Sequence, residues 1–171
     1  GVVELFARRI AVMMFGVFGR EKRALMVIEP PREAGIGGVF EIDNGILVAI
    51  EPWHGNQVVV YLPEAESWKR VVIENGMDNG HGLAVGDFDG DGQDEIVSGF
   101  RGKGFKLSIF QAQDPSGAAW HKTVLDDGGI AAADCVIEDF DDDGHADLAA
   151  IGASTGNIKL YRNTGKRRDA R

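Results

Sequence analysis

A fixed interval of 52 residues constrains this chain more than any other feature. Trp68 opens Trp-Lys-Arg-Val-Val-Ile, and Trp120 opens Trp-His-Lys-Thr-Val-Leu, 52 residues on. Two aspartate loops, Asp87-Phe-Asp-Gly-Asp-Gly-Gln-Asp-Glu95 and Asp139-Phe-Asp-Asp-Asp-Gly-His-Ala-Asp147, stand at the same interval. One interval shared by two unlike features marks a duplicated structural unit.

Each unit reads as four short strands. The central unit places them at His81–Phe88, Glu95–Phe100, Lys106–Gln111 and Trp120–Asp126. The preceding unit gives Val39–Ile42, Ile46–Glu51, Gln57–Leu62 and Trp68–Glu74. The following unit gives Ala132–Phe140, Asp147–Gly152 and Asn157–Arg162, with no fourth strand. Val, Ile, Leu and Phe fill these runs, while Gly, Asp, Asn and Pro fill the gaps. Four strands per unit at this period predict an all-β chain of about three four-stranded antiparallel β-propeller blades, at 38–75, 76–126 and 127–163. A β-sandwich also strings short strands together, but its strands need not repeat. Residues 1–37 read as an incomplete blade or a strand donor, with strands at Ile10–Phe15 and Ala24–Glu29 ended by Pro30-Pro31. Residues 164–171 read as a solvated basic tail.

The formal net charge of -9 is concentrated in the loops, which together hold ten carboxylates. That acidity argues against nucleic acid as a partner. The longest apolar run, Ile10 to Phe18, is too short to cross a bilayer. Cys135 is the only cysteine, so no internal disulfide can form.

Carboxylates at positions 1, 3 and 5 of a tight loop converge on one point, and Gly at position 6 permits the turn between them. The expected ligands are Asp87, Asp89, Asp91, Gln93 and Glu95 in the first loop, and Asp139, Asp141, Asp143, His145 and Asp147 in the second. Gln93 and His145 would offer their backbone carbonyls. An EF-hand would supply Glu at position 12 between helices, yet Ser98 and Ala150 stand there and strands follow. Hydrated Asp-Gly turns need no metal, but five carboxylates in nine residues, twice, repel one another without a cation. Two calcium sites are expected in preference to magnesium, which holds on to its waters.

At these residues the chain resembles the FG-GAP/VCBS family of integrin-like β-propeller repeats, over about residues 38–163. The resemblance implies that each loop joins the first two strands of a blade and that calcium pins the hairpin. The blade at 38–75 departs from the motif: Glu41-Ile-Asp-Asn-Gly45 is too short and too poor in carboxylates, so no metal is expected there. Three blades are fewer than a closed propeller uses, which implies a portion of a larger propeller or edges hidden by self-association. Tyr161-Arg-Asn163 is similar to a family C-terminus whose last blade borrows its outer strand, with Ala24–Glu29 a candidate donor.

Turns at the other end of the strands carry His54, His81, Arg101 and Lys103, where a propeller would bind ligands. Trp53-His54-Gly and His81-Gly82 are also similar to the propeller of aldos-2-ulose dehydratase-type proteins. That likeness implies His54 and His81 as metal ligands or acid–base groups on a carbohydrate, with Arg101 contacting an anion or hydroxyl. The bland reading makes both histidines ordinary turn residues. Trp53 reads as a sugar-stacking platform or a packing residue, Trp68 and Trp120 as structural, and His121 as solvated. The leading expectation is a calcium-stabilised module that binds a carbohydrate or protein ligand. The alternative is part of a metal-dependent carbohydrate lyase or dehydratase. Loops that work at extracellular calcium levels place the chain in a secreted or periplasmic setting.

Overall fold

Runs of Val, Ile and Leu with no polar alternation predict strands buried on both faces, and the computed structural model buries Ile46–Glu51, Gln57–Pro63 and Glu95–Phe100 in this way while its outer strands are largely exposed. It describes residues 39–52 and 54–165, which belong to one compact unit. The expected strands at Ile10–Phe15 and Ala24–Glu29, the side chain of Trp53 and the basic tail beyond Gly165 lie outside the described residues.

Eleven strands are described: β1 (Val39–Ile42), β2 (Ile46–Glu51), β3 (Gln57–Pro63), β4 (Trp68–Glu74), β5 (Gly80–Gly86), β6 (Glu95–Phe100), β7 (Lys106–Ala112), β8 (Trp120–Asp127), β9 (Ala132–Glu138), β10 (Asp147–Gly152) and β11 (Ile158–Tyr161). They form three antiparallel sheets, β1-β2-β3-β4, β5-β6-β7-β8 and β9-β10-β11. Among the described residues none of these sheets closes on itself. The strand boundaries match the sequence expectation to within one or two residues. β5 and β9 stop early, at Gly86 and Glu138, because Asp87 and Asp139 turn their carboxylates back onto loop amides.

Each sheet lends one face to its neighbour. Ile46, Val48, Ile50, Val58 and Val60 of the first sheet pack with Leu83, Ile96, Phe100 and Phe110 of the second. The alternate residues of the second, Ala84, Val97 and Leu107, pack with Ile130, just before β9, and with Ala132, Leu148 and Ala150 of the third. Ile96 and Val97 therefore serve two cores from adjacent positions, both with no exposed surface. The second contact is close enough to require glycine. A Cβ on Gly99 would lie 2.6 Å from the Ala132 Cβ and 2.9 Å from Leu107 Cδ1.

Ion pairs tie the outer strands of successive sheets. Lys122 on β8 reaches Glu74 on β4. Asp126 on β8 accepts from Lys159 Nζ at 2.6 Å and from the Tyr161 hydroxyl at 2.7 Å, both at β11. The repeated tryptophans sit at matching places, opposite Pro63 and Ala112. Trp120 packs on the first core and donates from Nε1 to Gly117 O at 2.7 Å, a structural role. The far face of the third sheet carries Val136, Ile151, Ile158 and Leu160, all exposed, Ile158 at 73%.

Candidate metal centre

The β5–β6 and β9–β10 connections lie at the same end of their sheets, and each is held open by its own first aspartate. Asp87 accepts the Asp91 amide at 3.2 Å on Oδ1 and the Gly92 amide at 3.0 Å on Oδ2. Asp139 accepts the Asp143 amide at 3.1 Å and the Gly144 amide at 2.8 Å in the same way. Position 5 accepts the position 7 amide in both loops, Gln93 on Asp91 and His145 on Asp143, each at 2.9 Å. Position 2 donates to the closing carboxylate, Phe88 to Glu95 at 2.8 Å and Phe140 to Asp147 at 3.3 Å. The turn at position 6 uses Gly92 and Gly144 at φ 85° and 88°, where a side chain would be strained.

This framework gathers three carboxylates in each loop. Oxygens of Asp87, Asp89 and Glu95 lie within 4.8 Å of one another, and so do those of Asp139, Asp141 and Asp147. Asp91 and Asp143, also expected as ligands, stand outside these groups with their carboxylates on the position 7 amide. The expected backbone contribution of Gln93 and His145 thus comes from residues whose amides already fix the loop.

The closing carboxylates are core residues. Glu95 is 3% exposed and Asp147 has no exposed surface, at the first position of β6 and β10. The matching position of β2 is Ile46, a core side chain, in a sheet whose first hairpin is only a three-residue turn. Burial, followed by the neighbouring carboxylates of Asp89, Asp91 and Asp87, pushes Glu95 up to about 7 against the opposing Phe88 amide. A divalent cation would supply the missing counter-charge.

The surroundings of the two loops differ, in a way the loop motifs did not reveal. A cleft of about 240 Å³ opens beside the first loop, lined by Asp89, Asp91, Gln93 and Glu95 together with Gln111, Ala112 and His121. His121, expected to be solvated, is exposed and lines this cleft. Gln111 Nε2 lies 3.5 Å from Asp89 Oδ2. At the second loop, Arg162 pairs with Asp141, whose buried carboxylate oxygens accept no hydrogen bond. Gln111 and Arg162 are equivalent: each follows the residue paired with the second position of the second strand, Phe110 with Ile96 and Tyr161 with Leu148. Asn163 links the loops, giving its amide to Asp147 Oδ1 at 2.8 Å and its side-chain NH₂ to Phe88 O.

At the opposite end, the expected histidine group does assemble. The rings of His54 and His81 stack with centroids 5.0 Å apart and planes at 22°. Arg101 Nη2 lies 3.4 Å from His54 Nε2, and His81 Nδ1 meets Ala133 O. Among the described residues neither histidine belongs to a cluster of three metal-ligating side chains.

No protein-family model matches the chain, and no curated protein matches it.

Proposed function

We propose that this chain is a calcium-binding module built of β-propeller-type repeats of the FG-GAP/VCBS kind, in which two calcium ions staple the β5–β6 and β9–β10 hairpins. The observation that carries this reading is the twofold recurrence of one loop framework around three converging carboxylates, one of them buried in the core each time. Oxygen-only ligands on a flexible loop suit calcium, which takes six to eight oxygens, and waters would complete the shell. In this role calcium is structural: it ties the first two strands of a sheet and neutralises charge the fold has buried.

The sheet-on-sheet stacking supports the arrangement as consecutive propeller blades, and the exposed apolar face of the third sheet suits a further blade or a second copy. Open, partly exposed loops suit millimolar calcium and a secreted or periplasmic setting. Ligand recognition, of a carbohydrate or a protein, then falls to the end that carries His54, His81 and Arg101.

Thermal melts in calcium and in EGTA test the reading, because an ion that binds only the folded state raises its stability by RT ln(1 + [Ca]/Kd). At ten times Kd that is about 1.4 kcal/mol per site. A melting temperature unmoved by millimolar calcium, with no heat of binding by calorimetry, would sink it.

A second reading draws on the 5.0 Å approach of the histidines: part of a metal-dependent carbohydrate lyase or dehydratase, with His54 and His81 as ligands or acid–base groups. Incubation with 2-ketosugars and zinc or calcium, followed by enone absorbance, tests it. Turnover unchanged in His81→Gln would remove it.

A further inference from the structure

A ligand chemistry for the histidine end rests on the assignment of ligand recognition to that end. Three turns are stitched together there: 54–56 after β2, 75–79 before β5, and 101–105 after β6. Gly80 N donates to Gly55 O at 2.8 Å, Arg101 N to Asn79 O at 3.2 Å, and Gly102 N to Asp78 O at 2.9 Å. Two sheets thereby contribute one basic group: His54 from the first, His81 and Arg101 from the second. Asp78 is the only carboxylate in these turns, and it accepts the Lys103 amide at 2.8 Å. Burial, then Arg101, then His81 lower the pKa of His54, as a concentration of positive groups should.

Arg101 Nε is buried and meets no acceptor. Arg70, in the first sheet, shows what that edge of a guanidinium ordinarily holds. Its Nε and Nη2 close on Glu51 Oε2 at 3.0 and 2.8 Å. On Arg101 the same edge has only the imidazole of His54 on Nη2 and nothing on Nε. A buried donor left without an acceptor is costly, and a paired acceptor on that fork is the arrangement a guanidinium binds best.

We propose that Arg101, His54 and His81 form a binding site for a small oxyanion, a carboxylate or phosphoryl group seated on the Nε–Nη2 edge of Arg101 beside the stacked imidazoles. The ligand oxygens accept from Nε and from Nη2, displacing His54 Nε2 from the latter. Ala133 O engages His81 Nδ1, so its ring is anchored and serves as a wall. This site is independent of the aspartate loops, which lie at the other end of the strands.

The test uses the full 171-residue chain, isotopically labelled, with NMR signals of Arg101 Nε–H and the His54 and His81 Cε1–H groups. Malonate and inorganic phosphate are titrated separately at constant ionic strength. Saturable shifts of all three signals below about 10 mM are expected with at least one of them. Tighter malonate binding identifies a carboxylate ligand, and tighter phosphate binding a phosphoryl ligand. Arg101→Lys keeps the charge but loses the fork, and should weaken binding at least about tenfold. Unchanged β6 amide signals show that the variant is folded. Shifts that stay linear with both ions, or equal affinity in a folded Arg101→Lys, overturn the proposal. The wild-type titration decides the first point even if the variant fails to fold.

Discussion

Four hydrogen bonds recur between the loops at 87–95 and 139–147, yet the aspartates at position 3 meet opposite chemistry. Asp89 faces the neutral amide of Gln111, and Asp141 faces the guanidinium of Arg162. The first loop gathers negative charge beside an open cleft, while the second already holds a protein cation against one of its three convergent carboxylates. A cation entering the second loop must displace or share with Arg162. If the loops hold calcium as proposed, the difference makes them unequal sites, with the first expected to be the tighter. Local sequence sets the loop framework, but the neighbouring chain sets the charge that faces it.

The largest effect should come from removing a framework aspartate. Asp87→Ala strips the first loop of a ligand and of acceptors for the Asp91 and Gly92 amides. A loss of about 1–3 kcal/mol in EGTA is expected, and calorimetric stoichiometry should fall from two calcium ions to one. Asp139→Ala should leave the tighter site and remove the weaker. If both variants retain two ions, the loops are not the sites.

Acidity distinguishes the first loop next. Glu95 titrates near 7 in the fold, above its ordinary value of 4.5. The folded chain therefore holds this proton where the unfolded chain has lost it. In EGTA that stabilisation is full below about pH 4.5 and is lost as pH rises through 7. Calcium needs the ionised form, so its contribution to the melting temperature should grow over the same window. Glu95→Gln should flatten both trends; a Gln variant with the wild-type pH profile would locate the titration elsewhere.

The guanidinium itself gives a smaller, more pointed effect. Arg162→Gln should tighten the second site about two- to fivefold, the range for a partly exposed ion pair. Gln111→Arg should weaken the first by a similar factor. Calorimetry of the paired variants reads both, and identical affinities in Arg162→Gln and wild type would erase the proposed inequality.

Smallest is a backbone difference at position 4. Gly90 takes φ 75° in the first loop, where Asp142 takes φ 58° in the second. Asp142→Gly should relieve strain and stabilise the chain by up to about 1 kcal/mol in EGTA, read from urea midpoints.

Much of this was legible along the chain. The 52-residue interval located the loops, and strand boundaries such as Glu95–Phe100 and Asp147–Gly152 coincide with the folded ones. Turn chemistry and β-branched runs act over a few residues, so they survive in a one-dimensional reading. Spacing marks Asp91 and Asp143 as ligands, and the fold adds that one oxygen of each accepts the position 7 amide. His121 and Gln111 carried no local signal, because both reach the first loop from strands β7 and β8.

By itself the sequence determined the duplicated loops, the short strands that flank them and the residues able to meet a hard cation. These depend on backbone turns and side-chain oxygens close together in the chain. Only the tertiary structure decided that Glu95 and Asp147 are buried, that Arg162 rather than an amide faces Asp141, and that His54 comes against His81 and Arg101. Those outcomes depend on strand register and sheet stacking, which bring together groups from 16 to 47 residues apart, such as Asp147 with Asn163 and His54 with Arg101. Contacts at that range are fixed by the packing of whole sheets, so no short motif encodes them.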